Sequence, residues 1–252
     1  MSLFEAILLG IVQGLTEFLP ISSSGHLVIF QKFLEVSDTG SEFEILVHVG
    51  TLGSIIVVFL DEIKVIIQNV KSQKTQKYIL FIIIGTIPAG IFGVGMRDIF
   101  ESLFHNLTLV GIFLIFTGAV LFLSMLSNKA DGQITYKKSI LIGFAQALAI
   151  FPGISRSGMT ICTALFLGIG PKEAARFSFL LAIPAISGAG AIMMVDVGTN
   201  FQMSIYVAAA ALISSFFTGL FSLKWLINWL KNGKFYYFGL YCITIGIITL
   251  FL

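Results

Sequence analysis

The amino-acid sequence predicts an all-α integral membrane protein with six transmembrane helices and two re-entrant helical hairpins in an inverted-topology repeat. Three observations support this fold class: the composition, the lengths of the apolar runs, and a similarity between two interrupted runs. Of the 252 residues, 57% are hydrophobic and 11% are charged, and the mean hydropathy is +0.99. Soluble domains contain about 25% charged residues. So few polar side chains cannot cover a surface that faces water, and lipid must therefore surround most of the chain.

Six apolar runs have the length of a spanning helix, about 20 residues, or come close to it. They are residues 43–61, 78–96, 107–127, 174–195, 203–223 and 235–252. Two other apolar regions, 3–35 and 138–170, are interrupted by polar residues, Pro and Gly at 19–26 and 152–158. The segments beside each interruption are too short to cross the roughly 30 Å hydrocarbon core. This pattern predicts a re-entrant hairpin, whose break must lie inside protein or beside a watery cavity.

The two interrupted regions resemble each other. Residues 10–25 align without gaps on residues 143–158, and eight of the sixteen positions are identical. The identical pairs are Gly10/Gly143, Gln13/Gln146, Leu15/Leu148, Phe18/Phe151, Ile21/Ile154, Ser22/Ser155, Ser24/Ser157 and Gly25/Gly158. This match predicts a duplication, with repeat 1 in residues 1–127 and repeat 2 in residues 128–252 of a single membrane domain. Each repeat would hold one hairpin and three spans. Because three is odd, the second repeat must be inverted, and in such folds the broken helices build the binding site.

The basic residues predict the orientation of the chain. Four loops that lie on one side under this topology hold 12 of the 15 Lys and Arg residues. These loops are residues 62–77, 128–138, 171–176 and 224–234. We therefore expect them to be cytoplasmic and both termini to lie outside. The net charge of +2 is too small to suggest nucleic acid as a partner.

Charged and hydroxyl side chains occur in both breaks, where the bilayer makes them costly and usually functional. The first break carries Gln13, Glu17, Ser22, Ser23, Ser24 and His26, and the second carries Ser155, Arg156, Ser157 and Thr160. A helix follows each break, and its first N–H groups favour an anion. An arginine between two such helix ends presents a planar fork that fits phosphate oxygens. We therefore expect a phosphate site where the breaks meet.

Glu17 and His26 indicate chemistry beyond anion binding. A carboxylate near phosphate is understandable if a divalent cation such as Mg²⁺ bridges the two, and Gln13 lies one helical turn away with a neutral oxygen. His26 and Ser23 are three residues apart and supply a base and a hydroxyl. These are the parts that phosphoryl transfer requires, and the membrane setting indicates a lipid substrate. We favour Ser23 as the nucleophile with His26 as its base, while direct attack by His26 stays open.

The two breaks resemble the two signature motifs of the undecaprenyl-diphosphate phosphatases, the bacitracin-resistance family. The first motif reads QGLTEFLPISSSGH at 13–26, and the second reads PGISRSGMT at 152–160. The resemblance covers nearly the full chain, including VHVGTLGSII at 47–56, GTIPAG at 85–90 and FSFLLAIPA at 177–185. Any one motif alone is a weak signal, but together they are highly specific.

This resemblance implies a phosphatase that converts undecaprenyl diphosphate to undecaprenyl phosphate, which then carries cell-wall glycan precursors again. It also implies dependence on Mg²⁺ or Ca²⁺ and a site in the bacterial plasma (inner) membrane that opens to the outer face. By motif position, the expected catalytic residues are Glu17, Ser23, His26 and Arg156, the expected phosphate-binding residues are Ser22, Ser24, Ser155, Arg156, Ser157 and Thr160, and the expected metal residues are Glu17 and Gln13. The expected partners are a polyprenyl diphosphate lipid and, as an open option, a second copy of the chain in a homodimer.

Two other functions stay open. Inverted repeats with broken helices also form transporters, so a transporter or flippase of a polyprenyl phosphate lipid would need the same anion site. The Ser23–His26 pair favours chemistry, because transport needs neither a base nor a nucleophile. A purely structural bundle would use a buried Glu17–Arg156 pair only to lock the hairpins together. Outside the breaks, we expect His48 to be a core histidine and the small residues 188–191 to form a close helix-packing face.

Overall fold

The computed structural model describes residues 1–36, 40–96, 103, 106–127, 132–198, 202–231 and 235–252. Within these ranges every regular element is helical, which confirms the all-α prediction. The helices are α1 (Leu3–Phe18), α2 (Ser23–Phe33), α3 (Gly40–Val58), α4 (Leu60–Gln68), α5 (Gln73–Gly95), α6 (Leu107–Leu123), α7 (Tyr136–Leu148), α8 (Arg156–Phe166), α9 (Pro171–Val197), α10 (Ile205–Lys231) and α11 (Tyr237–Thr249). A short 3-10 helix, Ser124–Leu126, follows α6. The loop lysines Lys129 and Lys234 lie outside the described residues.

Four of these helices are long and apolar enough to cross a membrane: Gln73–Gly95, Leu107–Leu126, Pro171–Val195 and Ile205–Leu230. A fifth span results if α3 and α4, which are bent by 69° relative to each other, count as one. The run at 235–252 contains α11, an apolar helix of 13 residues, which is about 20 Å long at about 1.5 Å per residue. The chain is therefore a multi-pass membrane protein, and the total of six spans stays a prediction.

Both predicted hairpins form pairs of short helices separated by a break. Helix α1 begins with a capping box, in which Ser2 Oγ accepts from the Glu5 N–H at 3.3 Å and the Glu5 carboxylate accepts from the Ser2 N–H at 2.9 Å. It ends at Phe18, since Pro20 disfavours helical backbone in the residue before it. Helix α7 likewise ends a few residues before Pro152. The helix–break–helix pattern of both regions is confirmed, and their re-entrant course in a bilayer stays a prediction.

The helices of one half pack mainly against those of the other. Helix α10 packs on α1 and α3, α5 packs on α7 and α9, α3 packs on α9, and α6 packs on α11. Exchanging the two predicted repeats maps this set of helix pairs onto itself. A duplicated chain would give such a pattern. The helices that lead into the breaks, α1 and α7, each bury the face that carries Gln13 or Gln146.

Glycines allow α1 to approach α10 closely enough to bury the first break. A Cβ atom on Gly10 would lie 2.0 Å from Ser214 Oγ, and one on Gly14 would lie 2.0 Å from Thr218 Oγ1. Gly10 and Gly14 are four residues apart, the spacing of small-residue contacts between membrane helices. By contrast, a Cβ atom on Gly188 or Gly190 would meet no atom of the described residues within 4 Å. The prediction of a close packing face at 188–191 is therefore wrong.

Candidate active site

The two polar breaks meet inside the bundle. The Gly153 N–H donates to Ser22 Oγ at 3.1 Å, and Ser157 Oγ donates to the Leu19 carbonyl at 3.2 Å. These partners are 131 and 138 residues apart in the sequence. Both serines are buried. Each hairpin thus contributes a hydroxyl to the backbone of the other, and the two distant segments form one site.

Glu17 lies at the centre of this site. Its Oε1 accepts from Arg156 Nη2 at 3.0 Å, and its Oε2 accepts from Ser23 Oγ at 2.6 Å and from Gln13 Nε2 at 3.0 Å. The Glu17 side chain is only 6% exposed, and a buried carboxylate without partners would be strongly unfavourable. Three donors and an opposite charge satisfy it here. The structure therefore brings together Glu17, Ser23, Arg156 and Gln13, as the sequence predicts.

Helix geometry explains why these four side chains converge. Gln13 and Glu17 are one turn apart on α1, so the amide lies directly beside the carboxylate. Ser23 is the first residue of α2 and Arg156 is the first residue of α8. These two positions are equivalent in the alignment of the two breaks. Two equivalent helix starts, one from each half, therefore hold the same carboxylate.

Two buried polar atoms in this cluster have no hydrogen-bond partner among the described residues: Gln13 Oε1 and Arg156 Nη1. Buried polar atoms in native proteins are normally paired, so each marks a position that a ligand, an ion or a water molecule can fill. The first is an acceptor and suits a cation. The second is a charged donor and suits a phosphate oxygen.

A serine caps the helix that follows each break. Ser22 Oγ accepts from the backbone N–H three residues on at 3.3 Å, and Ser155 Oγ does the same at 3.1 Å. A second hydroxyl lies 3.3 Å from each cap, that of Ser24 in the first break and that of Ser157 in the second. The other N–H groups of these first turns have no partner within the helix, and the helix dipoles add partial positive charge. The four expected phosphate-binding serines therefore surround two helix N-termini next to Arg156.

His26 is held away from Ser23. Its Nδ1 lies 2.8 Å from the Ser22 carbonyl oxygen, and its Nε2 lies 2.9 Å from the hydroxyl of Tyr241. Both ring nitrogens are thus engaged elsewhere, while the Ser23 hydroxyl donates to Glu17. Ser23 is therefore hydrogen-bonded to the Glu17 carboxylate and not, as expected, to His26.

Tyr241 is a site residue that the sequence analysis missed. It lies on α11, 215 residues after His26, and the two rings are nearly parallel, with centroids 5.6 Å apart and 7° between their planes. A single tyrosine in an apolar run carries no local signal of such a contact. Only the packing of the last helix against the first hairpin reveals it.

Two threonine hydroxyls form hydrogen bonds to the backbone around the second break. Thr160, expected to bind phosphate, is fully buried, and its Oγ1 donates to the Arg156 carbonyl at 2.8 Å and lies 2.6 Å from Ser178 Oγ. Thr117, which the sequence analysis did not single out, donates to the Gly153 carbonyl at 2.8 Å and accepts from the Ser155 N–H at 3.2 Å. Both hydroxyls are therefore bonded to the backbone of the break or of the first turn of α8.

His48, which we expected to be a core histidine, is half-buried on α3. Its Nδ1 lies 2.8 Å from the Glu44 carbonyl oxygen. In the part of the chain that the structure describes, no group of three or more His, Cys, Asp or Glu side chains could hold a metal ion. Any cation near Glu17 would depend on the Gln13 oxygen, on hydroxyls and on a ligand for the rest of its coordination.

These features define a polytopic helical membrane protein that gathers a carboxylate, a guanidinium and several hydroxyls where two broken helices meet. Residues 6–248 match the family described as Bacitracin resistance protein BacA. This match covers nearly the whole chain, and the protein therefore belongs to this family.

Full-length relatives agree with the family match. The chain is 40% identical to the undecaprenyl-diphosphatase of Methanosphaera stadtmanae, an alignment that covers 100% of this chain and 98% of the relative. It is 38% identical to the undecaprenyl-diphosphatase of Syntrophotalea carbinolica, with 98% and 97% covered. It is 40% identical to that of Halothermothrix orenii, with 100% and 98% covered. The resemblance inferred from the two motifs is confirmed over the full length.

Proposed function

We propose that this protein hydrolyses undecaprenyl diphosphate to undecaprenyl phosphate and inorganic phosphate, and so recycles the lipid carrier of cell-wall synthesis. Membership of the bacitracin-resistance family and full-length relatives named undecaprenyl-diphosphatase support this function. One structural observation carries the mechanism: Glu17 holds a serine hydroxyl at 2.6 Å and an arginine at 3.0 Å within the same buried cluster. Nucleophile, base and phosphate ligand are thereby adjacent.

Arg156 is the proposed ligand of the terminal phosphate. Its Nη2 donates to Glu17, whereas its buried Nη1 has no partner among the described residues. A guanidinium presents several donors in one plane, so it can keep the carboxylate contact and still bind a phosphate oxygen. The capped N-termini of α2 and α8 supply further N–H donors for the negative charge that spreads over these oxygens.

Ser23 is the proposed nucleophile, and Glu17 is the proposed acceptor of its proton. The Ser23 oxygen attacks the terminal phosphorus, the bond from phosphorus to the bridging oxygen breaks, and undecaprenyl phosphate leaves. Water then hydrolyses the phosphoserine and releases inorganic phosphate. Spacing alone favoured His26 as the base, but the short Ser23–Glu17 hydrogen bond supports the carboxylate in this role.

A divalent cation fits the donor set beside Glu17. The unpaired oxygen of Gln13 and the Glu17 carboxylate would hold Mg²⁺ or Ca²⁺, together with phosphate oxygens of the substrate. Mg²⁺ commonly binds through one or two carboxylates plus substrate phosphates, so a full cage of protein ligands is not needed. When bound, the ion would neutralise charge on the diphosphate.

We further propose a plasma (inner) membrane location, with both termini outside and the site open to the outer face. The concentration of 12 of 15 basic residues in four loops supports this orientation. Helix pairs that are preserved when residues 1–127 and 128–252 are exchanged support a two-fold repeat. An odd number of spans in each half would make that repeat inverted.

Phosphate release by purified protein tests the proposal. Wild-type protein in detergent is given undecaprenyl diphosphate or undecaprenyl phosphate, with and without a chelator. We expect inorganic phosphate from the diphosphate alone, its loss with chelator and its return with added Mg²⁺. Glu17→Gln should lower kcat/KM by about 10²–10⁴-fold, because it removes the proton acceptor.

Glu173→Gln is the matched control. Glu173 also pairs with an arginine, Arg176, at 3.3 Å, but this pair lies at the start of α9 and is about one-third exposed. Its loss should leave activity unchanged. Full activity of Glu17→Gln would contradict the mechanism. A wild-type protein that moves polyprenyl phosphate lipids between leaflets without releasing phosphate would instead be a carrier.

A further inference from the structure

The contact between His26 and Tyr241 links the last helix to the first break. The Tyr241 hydroxyl lies 2.9 Å from His26 Nε2, and the two ring planes are only 7° apart. The next residue on α11, Cys242, donates through its Sγ to the Pro20 carbonyl at 3.5 Å. Two consecutive side chains of one helix therefore contact the two ends of the break.

The Ser22 carbonyl determines which nitrogen of the His26 ring carries the proton. A carbonyl oxygen can only accept, so the His26 Nδ1 that lies 2.8 Å from it must carry a proton. A neutral imidazole then leaves Nε2 with a lone pair, which accepts from the Tyr241 hydroxyl. The hydroxyl thus complements the tautomer that the Ser22 carbonyl fixes and restrains the plane of the ring.

The His26 ring is one of several restraints on Ser22, whose backbone lies in the left-handed region with a φ of 67°. This conformation is uncommon for a residue other than glycine and persists only where the surroundings hold it. The Ser22 carbonyl also accepts from the backbone N–H of His26 at 3.2 Å. The residue after this turn is Ser23, whose hydroxyl reaches Glu17 at 2.6 Å. The orientation of Ser22 therefore determines where the proposed nucleophile lies.

The second break shows that the fold itself does not require this polar pair. The position equivalent to His26 is Met159, which lies in an apolar cluster with Ile154, Phe113 and Val120. The same helix start is thus packed there without a hydrogen bond between rings. A buried histidine and a tyrosine at the first break serve its chemistry instead.

We propose that Tyr241 is a positioning residue that holds the ring plane of His26 and, through the Ser22 carbonyl, holds Ser23 on Glu17. This role rests on the proposed phosphatase function. Tyr241 itself need not touch the substrate. Its hydroxyl should affect the turnover of bound substrate more than substrate binding, because it acts on the placement of the nucleophile.

Tyr241→Phe removes the hydroxyl and keeps the ring contact, and Tyr237→Phe on the same helix is the matched control. Full-length protein labelled with ¹⁵N-histidine, which contains three histidines, is compared by NMR, and phosphate release is measured in parallel. In Tyr241→Phe we expect the His26 Nε2 resonance to move towards that of a free unprotonated nitrogen. We expect kcat to fall by about five- to tenfold with KM unchanged, as the loss of one neutral hydrogen bond predicts. Tyr237→Phe should change neither.

An unchanged His26 resonance in Tyr241→Phe would overturn the proposal, as would a changed resonance with unchanged kcat. A rise in KM alone would also overturn it, since it would place Tyr241 in substrate binding. If the wild-type protein released no phosphate, the proposed function would fail. The resonance would still decide whether Tyr241 holds His26.

Discussion

The two polar breaks share a backbone frame. In each, a serine at the equivalent position, 22 or 155, caps a helix and lies 3.3 Å from a second serine hydroxyl. In each, the carbonyl at the equivalent position accepts from the last helix of the other half: Pro20 from Cys242 at 3.5 Å and Gly153 from Thr117 at 2.8 Å. An ancestral duplication would account for this common frame.

The chemistry of the two breaks differs at three equivalent positions. The first break has Glu17, Ser23 and His26, where the second has Ile150, Arg156 and Met159. The carboxylate and the proposed nucleophile thus come from one half, and the guanidinium comes from the other. Neither half alone could form the candidate site. The comparison shows that two similar backbone frames carry the opposite charges of one cluster, Glu17 in the first and Arg156 in the second.

Removal of Arg156 should have the largest effect on both stability and activity, because this residue provides the positive charge of the cluster. Arg156→Ala leaves the Glu17 carboxylate, 6% exposed, without its opposite charge, and loss of one partner of a buried pair costs about 3–5 kcal/mol. We expect a large fall in the thermal unfolding temperature in detergent, together with the loss of phosphate release.

A double variant separates stability from catalysis. Glu17→Gln/Arg156→Gln removes both charges, so it should unfold at a higher temperature than Arg156→Ala while remaining inactive. If the double variant were no more stable than the single one, the ion pair would not be what links the two hairpins. If it were active, the chemistry would not depend on either charge.

The two capping serines give the second comparison. Ser22 Oγ accepts from the Gly153 N–H at 3.1 Å in addition to its own helix. By symmetry, the corresponding donor to Ser155 would be residue 20, but Pro20 has no N–H. The bond from a backbone N–H of one break to the capping serine of the other therefore exists in one direction only. Ser22 and Ser155 are therefore equivalent in the alignment but should contribute different amounts to the free energy of unfolding.

Ser22→Ala should consequently destabilise the protein more than Ser155→Ala. Ser155→Ala removes a helix cap, which costs about 1 kcal/mol. Ser22→Ala removes a cap and also leaves the buried Gly153 N–H unpaired, so we expect a cost of about 2–3 kcal/mol. Thermal unfolding of both variants under identical conditions measures the difference. Equal losses would show that the bond from Gly153 contributes nothing.

The sequence predicted the parts of the site that local spacing determines. One helical turn fixes Gln13 beside Glu17, and the gapless match between the breaks indicated that the two breaks would meet in one site. The composition and the apolar runs predicted a helical membrane protein. These features depend on periodicity and on the duplication, both of which can be read along the chain.

Contacts between distant helices could not be predicted in this way. Tyr241 and Thr117 lie in apolar runs without any motif around them, and their partners depend on how the last helix of each half packs. The bend between α3 and α4 occurs at Phe59, where no proline or glycine indicates a bend in the sequence. Small residues were also ambiguous, because Gly10 and Gly14 form a close contact whereas Gly188 and Gly190 do not. Composition alone does not say which face of a helix meets a partner.

The smallest expected effect distinguishes the equivalent glutamines. Gln13 and Gln146 are both buried, and the Oε1 of each has no hydrogen-bond partner in the described part of the chain. The Gln13 amide donates to Glu17 at 3.0 Å, and the Gln146 amide donates to the Gly85 carbonyl at 3.4 Å. Replacement by Met keeps the volume and removes the amide. Gln13→Met should lower kcat/KM about tenfold, equivalent to about 1.4 kcal/mol, because the carboxylate loses one donor. Gln146→Met should leave kcat/KM unchanged. Equal losses in the two variants would mean that these side chains act through packing, since only Gln13 touches Glu17.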